Sequence, residues 1–329
     1  MASDLPVIDL SLLPSTFAEK QNLSDLEGNN ELKKLREACQ ELGFFHVVNH
    51  GVDKALIEKM DCASRDMFSL PEEVKKRAIF PIPSAGYSPP TLGADGKDSM
   101  PESMHFPGQS VLPNSLDQIC TKLWPHGNHQ FREIAHTYNS HMMSLSQRII
   151  QLIMFGLGLD VSKYYKSDLF SSFIDGYVRM NYYLNRKDEK ESQNGYKTSM
   201  AHTDIGILTI LYQDDIGGLQ IRTKEGSWIN VKPMKKSFVV NLGDCLQMWS
   251  NCRYRSAEHR VVYGGLKQKQ DRLSVAFFYI FEEKAEIKAP EELINEENPK
   301  KYNVAKFGDI IERYVQLGPK LGGSNYFLI

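Results

Sequence analysis

The residues best suited to chemistry in this chain are His202 and Asp204, which flank a single threonine. On an extended segment, side chains two residues apart project from the same face, so this imidazole and this carboxylate would converge on one point. A third ligand must come from elsewhere, and His259 is the natural candidate because it begins another predicted strand. Two histidines and one carboxylate on one face of an octahedron leave three positions open, which is typical of non-haem iron(II) oxygenases.

A His-x-Asp pair by itself is a weak signal, but the RLS run that starts at Arg272 strengthens it. Arg272 and Ser274 would share a strand face, and a guanidinium beside a hydroxyl is a good receptor for a carboxylate. The alternative for Arg272 is a surface ion pair. However, Arg272 opens a strand that is otherwise apolar, where a buried charge needs a partner. A cosubstrate that carries a carboxylate would supply that partner.

Other patterns that could hold a metal or a nucleotide are weaker. The chain has no HExxH motif. Cys245, Cys252 and His259 are separated by six residues each, which does not match the spacing of structural zinc sites. The GLG run at 156–158 lacks the third glycine of a phosphate-binding loop and follows a helix rather than a strand.

Length and composition limit the class of protein. With 329 residues, 41% of them hydrophobic and 24% charged, the chain can bury a sizeable core. A formal net charge of -2 gives no footprint for nucleic acid or an anionic membrane and favours a small-molecule partner. The five scattered cysteines are typical of reduced thiols. Because we find no secretory signal and no apolar run long enough to cross a bilayer, we predict a cytoplasmic protein without membrane, nucleic-acid or obligate protein partners.

The first half of the chain shows helical periodicity. Apolar residues at helical spacing predict helices over 30–43, about 53–68 and about 128–157, and the FFHVV run at 44–48 predicts a buried strand. The segment 80–115 is rich in proline, glycine and serine, and we interpret it as a long loop. A loop of that length inside a domain is typical of an active-site lid.

After residue 172 the pattern changes to short β-rich runs that are separated by turn signals. Many strands at such intervals predict a β-sandwich, a barrel or a jelly roll, and the segment after residue 290 looks helical again. We therefore expect one integrated unit with a mainly β core and flanking helices. Its parts are an N-terminal helical region with a lid loop (1–115), a long supporting helix region (116–172), the β core (173–285) and a C-terminal helical closure (286–329).

Ten short motifs cover nearly the whole chain: PVIDL (6–10), GFFHVVNHGV (43–52), SLPEEVK (69–75), NYY (181–183), HTD (202–204), GGLQ (217–220), NLGD (241–244), SN-x-R (250–253), HRV (259–261) and RLS (272–274). In their order and their gaps they resemble the plant 2-oxoglutarate- and iron(II)-dependent dioxygenases. Each motif alone would be a weak signal, but ten in sequence are specific.

The resemblance implies a distorted jelly roll, or double-stranded β-helix, wrapped by the N- and C-terminal helices. It also implies an activity that consumes O2 and 2-oxoglutarate, releases succinate and CO2, and is supported by ascorbate. Two sets of ligands follow from it: His202, Asp204 and His259 for Fe(II), and Arg272, Ser274, Tyr183 and Asn181 for 2-oxoglutarate.

Within that family, three stretches look most like the branch that oxidises the auxin indole-3-acetic acid, namely RMN, SFVVNLGDCLQMWSN and GY-x-P. The lid segment MPESMHFPG departs from that branch. An indole acid needs an aromatic slot and a cationic anchor. Arg179, turned inward by strand parity, is the candidate anchor, and a salt bridge at the barrel rim is the alternative. The other candidates for substrate contact are Phe278, Tyr87, His105 and Phe106.

Several alternatives remain open at this point. The same chemistry could hydroxylate, desaturate or demethylate a gibberellin, an alkaloid, a phenolic or a flavonoid, because fold does not select the substrate. A catalytically silent jelly-roll binding protein is a second class, although the intact metal triad and Arg272 disfavour it. A zinc hydrolase is a third class, in which the carboxylate receptor at Arg272 and Ser274 would have no role.

Overall fold

The computed structural model describes residues 4–15, 28–92, 99–165, 168–185, 197–263, 270–317 and 327–328. Within these ranges the chain forms the strands β1 (Val7–Asp9), β2 (Phe44–Val48), β3 (Gly86–Ser88), β4 (Thr91–Leu92), β5 (Ser99–Met100), β6 (Glu102–Phe106), β7 (Ile174–Tyr183), β8 (Lys197–Thr198), β9 (Leu208–Gln213), β10 (Leu219–Arg222), β11 (Trp228–Asn230), β12 (Phe238–Leu242), β13 (His259–Tyr263), β14 (Arg272–Phe281), β15 (Glu286–Ile287) and β16 (Ala305–Lys306).

The α-helices of the same ranges are α1 (Asn30–Glu41), α2 (Lys54–Phe68), α3 (Glu72–Lys76), α4 (Ser115–Leu123), α5 (His129–Gly156), α6 (Val161–Tyr165), α7 (Asp168–Ser171), α8 (Asp244–Trp249) and α9 (Phe307–Leu317). The three helices predicted from periodicity are confirmed as α1, α2 and α5. Helix α5 begins where the side chain of Asn128 accepts a hydrogen bond from the backbone N–H of Phe131, which is an N-cap. Among the described residues, no helix combines the length and the apolar character that a bilayer span requires.

Two β-sheets build the core. The larger has the strand order β1-β2-β12-β9-β14-β7-β6-β3, and the smaller has the order β11-β10-β13-β8. The longest pairing joins β14 to β7, from Arg272 opposite Tyr183 to Phe281 opposite Ile174. This mainly β arrangement with flanking helices confirms the predicted jelly roll.

The two faces of the larger sheet contribute to different cores, because successive strand residues point to opposite sides. On one face, Val178 and Met180 of β7 pack with buried residues of the long helix α5, such as Tyr138. On the other face, Phe44 and Val239 pack in a second cluster with residues of the smaller sheet. The functional cavity described below lies on this second side, so the helices support the sheet from behind.

The segment 80–115 differs from its prediction. It is not one long loop, since β3 and β6 extend the larger sheet through β7, and β4 pairs with β5. Proline and glycine obscured the strands in the sequence. Gly86 is required there because its φ is +70° and an added Cβ would lie 1.9 Å from the carbonyl oxygen of Ala78. The C-terminal region is also only partly helical, since β15, β16 and a short 3-10 turn at Glu291–Leu293 precede α9.

Candidate active site

Three side chains meet at one point inside the cavity between the sheets. One ligand atom from each of His202, Asp204 and His259 lies within 4.8 Å of the others. The Nε2 atoms of His202 and His259 are 3.7 Å and 3.8 Å from Oδ1 of Asp204. His202 and His259 lie opposite each other in an antiparallel β-bridge, which brings together two segments that are distant in sequence. The predicted triad is therefore brought together in an arrangement that could hold one metal ion.

Outer hydrogen bonds orient each of the three ligands. Nδ1 of His202 lies 2.9 Å from the carbonyl oxygen of Met200, and Nδ1 of His259 lies 3.1 Å from that of Ala257. Since a carbonyl can only accept, both Nδ1 atoms carry the proton, and the Nε2 lone pairs are left for a metal.

The carboxylate of Asp204 is held in the same way. Its Oδ2 atom accepts hydrogen bonds from Oγ1 of Thr209 at 2.6 Å and from Nδ2 of Asn241 at 2.7 Å. The other oxygen, Oδ1, faces the two imidazoles. Asn241 belongs to the NLGD motif, but neither its role nor that of Thr209 was predicted from the sequence.

The protonation states suit a divalent metal. Burial, together with His259, lowers the pKa of His202 to about 4, so the ring is neutral near pH 7. Burial raises the pKa of Asp204, but the two histidines and the hydrogen bonds from Thr209 and Asn241 outweigh it, and the net pKa is lowered. Neutral imidazoles and an ionised carboxylate are the forms that coordinate a metal.

Because the hydrogen bond from Asn241 orients Asp204, we expect Asn241→Ala to weaken Fe(II) binding about 10-fold, the low end for an outer-shell partner, since Thr209 remains. Titration of metal-free protein with Fe(II) under anaerobic conditions measures this affinity. Asn230→Ala, at an exposed amide on β11, is the matched control and should bind Fe(II) like the wild type. An unchanged affinity in Asn241→Ala would show that this hydrogen bond does not orient the ligand.

A buried guanidinium lies in the same cavity. Arg272 is 0% exposed, and it donates from Nε to the carbonyl oxygen of Gly217 at 2.6 Å, from Nη1 to Oγ of Ser274 at 3.1 Å, and from Nη2 to Oε1 of Gln213 at 3.2 Å. It also lies over the Tyr183 ring, 4.7 Å from the centroid. Within the described ranges no carboxylate forms an ion pair with Arg272, so its charge is balanced only by dipoles.

The other residues predicted to bind 2-oxoglutarate line the same cavity. In the β7–β14 pairing, Tyr183 lies opposite Arg272 and Asn181 lies opposite Ser274, so all four share one face. Oδ1 of Asn181 is buried and has no hydrogen-bond partner among the described residues. A carboxylate beside Arg272 and Ser274 would supply the missing counter-charge, so these residues fit 2-oxoglutarate.

The predicted substrate residues fall into two groups, those on the cavity face of the larger sheet and those on its helix face. Arg179 and Phe278 line the cavity, and the Phe278 ring stacks on Tyr177 with 4.5 Å between centroids and 12° between planes. His105 lies opposite Arg179 in the β6–β7 pairing and is buried, but it is not among the residues that line the cavity.

Tyr87 and Phe106 require a correction, because both lie on the opposite face of the sheet. The hydroxyl of Tyr87 donates to Oε1 of Glu102 at 2.7 Å, and the ring of Phe106 is 6.1 Å from that of Phe131 on α5. In the β6–β7 pairing Phe106 lies opposite Val178, a member of the helix-side core. These two residues pack the helix side and do not line the cavity.

Several residues of the cavity wall were not predicted from the sequence, and Tyr314 is among them. Tyr314 of the C-terminal helix α9 lines the cavity together with Arg179 and Phe278. The only signal in the sequence was an amphipathic helix near the C-terminus, which does not identify the residue that reaches the site.

A larger groove of about 1140 Å³ is lined in part by Asp61, Arg65 and Asp214 and shares no lining residue with the metal cavity. Arg65 forms ion pairs with both acids in that groove.

A jelly roll with two histidines and one carboxylate in its cavity, beside a buried arginine, defines a non-haem iron(II) oxygenase. Comparison with known families agrees. Residues 174–280 match the 2OG-Fe(II) oxygenase superfamily, and residues 5–126 match the N-terminal domain described as non-haem dioxygenase in morphine synthesis. The chain belongs to the 2OG-Fe(II) oxygenase family and is a 2-oxoglutarate-dependent dioxygenase.

Individual relatives cover most of the chain. It is 34% identical to Jasmonate-induced oxygenase 2 of Arabidopsis thaliana (92% of this chain, 76% of the relative) and 32% identical to 2-oxoglutarate-dependent dioxygenase DAO of rice, Oryza sativa subsp. indica (90% and 92%). It is 30% identical to Gibberellin 20-oxidase-like protein of Arabidopsis thaliana (89% and 86%).

Two solved structures of such relatives superpose closely on this one. The crystal structure of dioxygenase for auxin oxidation (DAO) in rice has a TM-score of 0.76 and 28% identity, over 99% of this chain and 100% of that chain. JOX2 in complex with 2OG, Fe and JA also has a TM-score of 0.76 and 28% identity, over 100% and 90%.

The chemistry of the site follows from these parts. When iron(II) and 2-oxoglutarate are bound, O2 would be the oxidant: one oxygen atom would go to succinate as 2-oxoglutarate loses CO2, and the other would be available to oxidise the substrate. His202, Asp204 and His259 are the residues that would hold the metal. Arg272 and Ser274 would orient the 2-oxoglutarate carboxylate. The residues of the cavity would therefore position the reactants.

Proposed function

We propose that this enzyme oxidises a small carboxylic acid, and that indole-3-acetic acid is the first candidate. The observation that carries the proposal is Arg179, a second guanidinium in the cavity. Arg179 lines the cavity beside the metal ligands, and within the described ranges it forms no ion pair with a carboxylate. A cation in that position attracts a substrate anion and fixes its orientation.

Arg179 is separate from the 2-oxoglutarate receptor. It lies opposite Ala276 on β14, four residues along the strand from Arg272, which corresponds to about 13 Å of strand. Arg179 and the metal ligand His202 line the same cavity, which places the guanidinium where it can orient a substrate. Two guanidinium groups thus provide anchors for two different carboxylates.

The rest of the cavity supports an aromatic acid. Phe278, stacked on Tyr177, contributes an aromatic wall, and Tyr314 lines the same cavity. Offset stacking on such a wall favours a planar ring. The cavity volume of about 210 Å³ is below the range of roughly 300–1000 Å³ for ligand pockets, which favours an indole-sized substrate over a bulky gibberellin or alkaloid.

Two of the relatives support the same class of substrate. One structural relative is described as a dioxygenase for auxin oxidation, and the other holds JA together with 2OG and Fe. JA is therefore the second candidate substrate. Reaction with iron(II), 2-oxoglutarate and ascorbate, followed by detection of oxidised product and succinate, tests both compounds. We propose that ascorbate supports turnover, as the family resemblance implies.

The proposed role of Arg179 as the substrate anchor is tested by Arg179→Gln. We expect it to raise KM for the acid substrate about 10-fold, the low end for a charged hydrogen bond because Arg179 is only half-buried, and to leave KM for 2-oxoglutarate unchanged. Steady-state kinetics with each reactant varied in turn measures both constants. Arg222→Gln, at an exposed pair with Glu258, is the control. An equal rise in both Michaelis constants would contradict a separate substrate anchor.

A further inference from the structure

We infer that His105 is a positioning residue for Arg179: it backs the guanidinium with an uncharged side chain, so that the substrate carboxylate is the counter-ion. This inference rests on the proposed function, since it assigns the role of His105 to the same anion site. His105 lies directly opposite Arg179 in the pairing of β6 with β7, and it is only 5% exposed. Residues that face each other across two strands share one side of the sheet.

The neighbours of Arg179 in the sheet carry no negative charge. On β6 the opposite residue is His105, and on β14 it is Ala276. Strand β6 does contain an acid, Glu102, but Glu102 and His105 are three positions apart, so their side chains point to opposite faces of the sheet. Glu102 therefore lies on the helix side, where Lys75 forms an ion pair with it at 2.5 Å and Tyr87 donates a hydrogen bond. The strand thus keeps its acid away from Arg179.

Two buried nitrogen atoms at this contact have unused hydrogen-bonding capacity. Nδ1 of His105 and Nε of Arg179 are both buried without a hydrogen-bond partner among the described residues. Burial, and then the charge of Arg179, lowers the pKa of His105 to about 3, so the imidazole is neutral near pH 7. A neutral imidazole can accept a hydrogen bond at one nitrogen, whereas a guanidinium can only donate. Histidine is therefore compatible with Arg179 without neutralising its charge.

A carboxylate at position 105 would act differently. It would form a buried ion pair with Arg179, and a substrate anion would have to compete with that pair. The identity of residue 105 would then determine whether the cavity prefers an acid over its uncharged analogue. This predicts opposite outcomes for a neutral and an anionic replacement of similar size.

The test compares His105→Gln with His105→Glu. Protein loaded with Mn(II) and 2-oxoglutarate, which does not turn over, is titrated calorimetrically with indole-3-acetate and with the uncharged indole-3-acetamide. We expect His105→Gln to keep the wild-type acid-to-amide affinity ratio within about 3-fold, and His105→Glu to lower that ratio at least about 10-fold while amide affinity is retained. An unchanged ratio in His105→Glu, or equal losses in both variants, would overturn the inference.

A second measurement does not depend on the substrate. Thermal unfolding of His105→Glu, Arg179→Gln and the double variant forms a double-mutant cycle. We expect the change in Tm caused by His105→Glu to be more favourable when Arg179 is present than in the Arg179→Gln background, because the introduced carboxylate can form an ion pair only with Arg179.

If His105→Glu does not fold, the same cycle is run with His105→Gln, where coupling is again expected. Additive effects would overturn the inference. Coupling without any acid preference in the wild type would instead show that the proposed substrate class is wrong.

Discussion

The variant Asp204→Asn is expected to lose substrate-dependent succinate formation by more than about 100-fold, which exceeds the loss of 10- to 100-fold typical of an outer-shell partner. Asparagine retains the shape of the side chain but removes the negative charge that would partly neutralise the positive charge of the metal ion. Its amide also cannot accept from both Thr209 and Asn241 while presenting an oxygen to the metal, as the carboxylate does. Coupled assay of succinate, together with Fe(II) titration, measures the loss.

The change should act on the metal site rather than on the fold. The matched control is Asp215→Asn, at an exposed carboxylate that should leave turnover unchanged. Circular dichroism and thermal unfolding of metal-free protein should show a folded Asp204→Asn variant, since one rearranged hydrogen bond costs about 1–3 kcal/mol against a typical total of roughly 5–15 kcal/mol. Near-normal turnover in Asp204→Asn would reject the ligand assignment.

The second large effect concerns Arg272→Lys, which should weaken 2-oxoglutarate binding by up to about 3 kcal/mol, or roughly 150-fold. The upper end applies because Arg272 is fully buried and its fork contacts Gly217, Ser274 and Gln213 at once. Lysine keeps the charge but offers a single point of contact, so it cannot reproduce a planar two-point interaction with a carboxylate. KM for 2-oxoglutarate and direct titration of the metal-loaded protein report the change.

Two comparisons isolate the role of the guanidinium fork. Arg260→Lys, at an arginine that stacks on Trp228 and bonds Gln220 on the smaller sheet, should leave 2-oxoglutarate affinity unchanged. Fe(II) affinity in Arg272→Lys should also stay close to that of the wild type, because Arg272 is not a metal ligand. Equal 2-oxoglutarate affinity in Arg272→Lys and in wild-type protein would reject the receptor assignment.

Local alternation explains why the metal and cosubstrate residues were predictable. His202 with Asp204, and Arg272 with Ser274, are pairs of residues at spacing two, and on extended chain such pairs must share a face. The helices were predictable for the same kind of reason, since a period of 3.6 residues leaves a clear apolar stripe. Strand β2, in the N-terminal half of the chain, was likewise evident as a short apolar run.

The substrate end was less predictable, because it depends on pairing between distant segments. Tyr87, His105 and Phe106 belong to a segment that looked like a loop, and the face of each residue depends on the register of β3 and β6 on β7. That register turns His105 toward Arg179 and turns Tyr87 and Phe106 toward the helices.

The sequence by itself therefore indicated the class of chemistry, and short-range alternation grouped His202 with Asp204 and Arg272 with Ser274. His259, which is distant in sequence, was predicted as the third ligand from its residue type and from the family resemblance. Only the tertiary structure decided that Tyr314 reaches the cavity, that Thr209 and Asn241 hold Asp204, and that Arg179 has an uncharged neighbour. Each of these contacts joins segments brought together by sheet register and helix packing, and those depend on the free energy of the whole fold rather than on any local pattern.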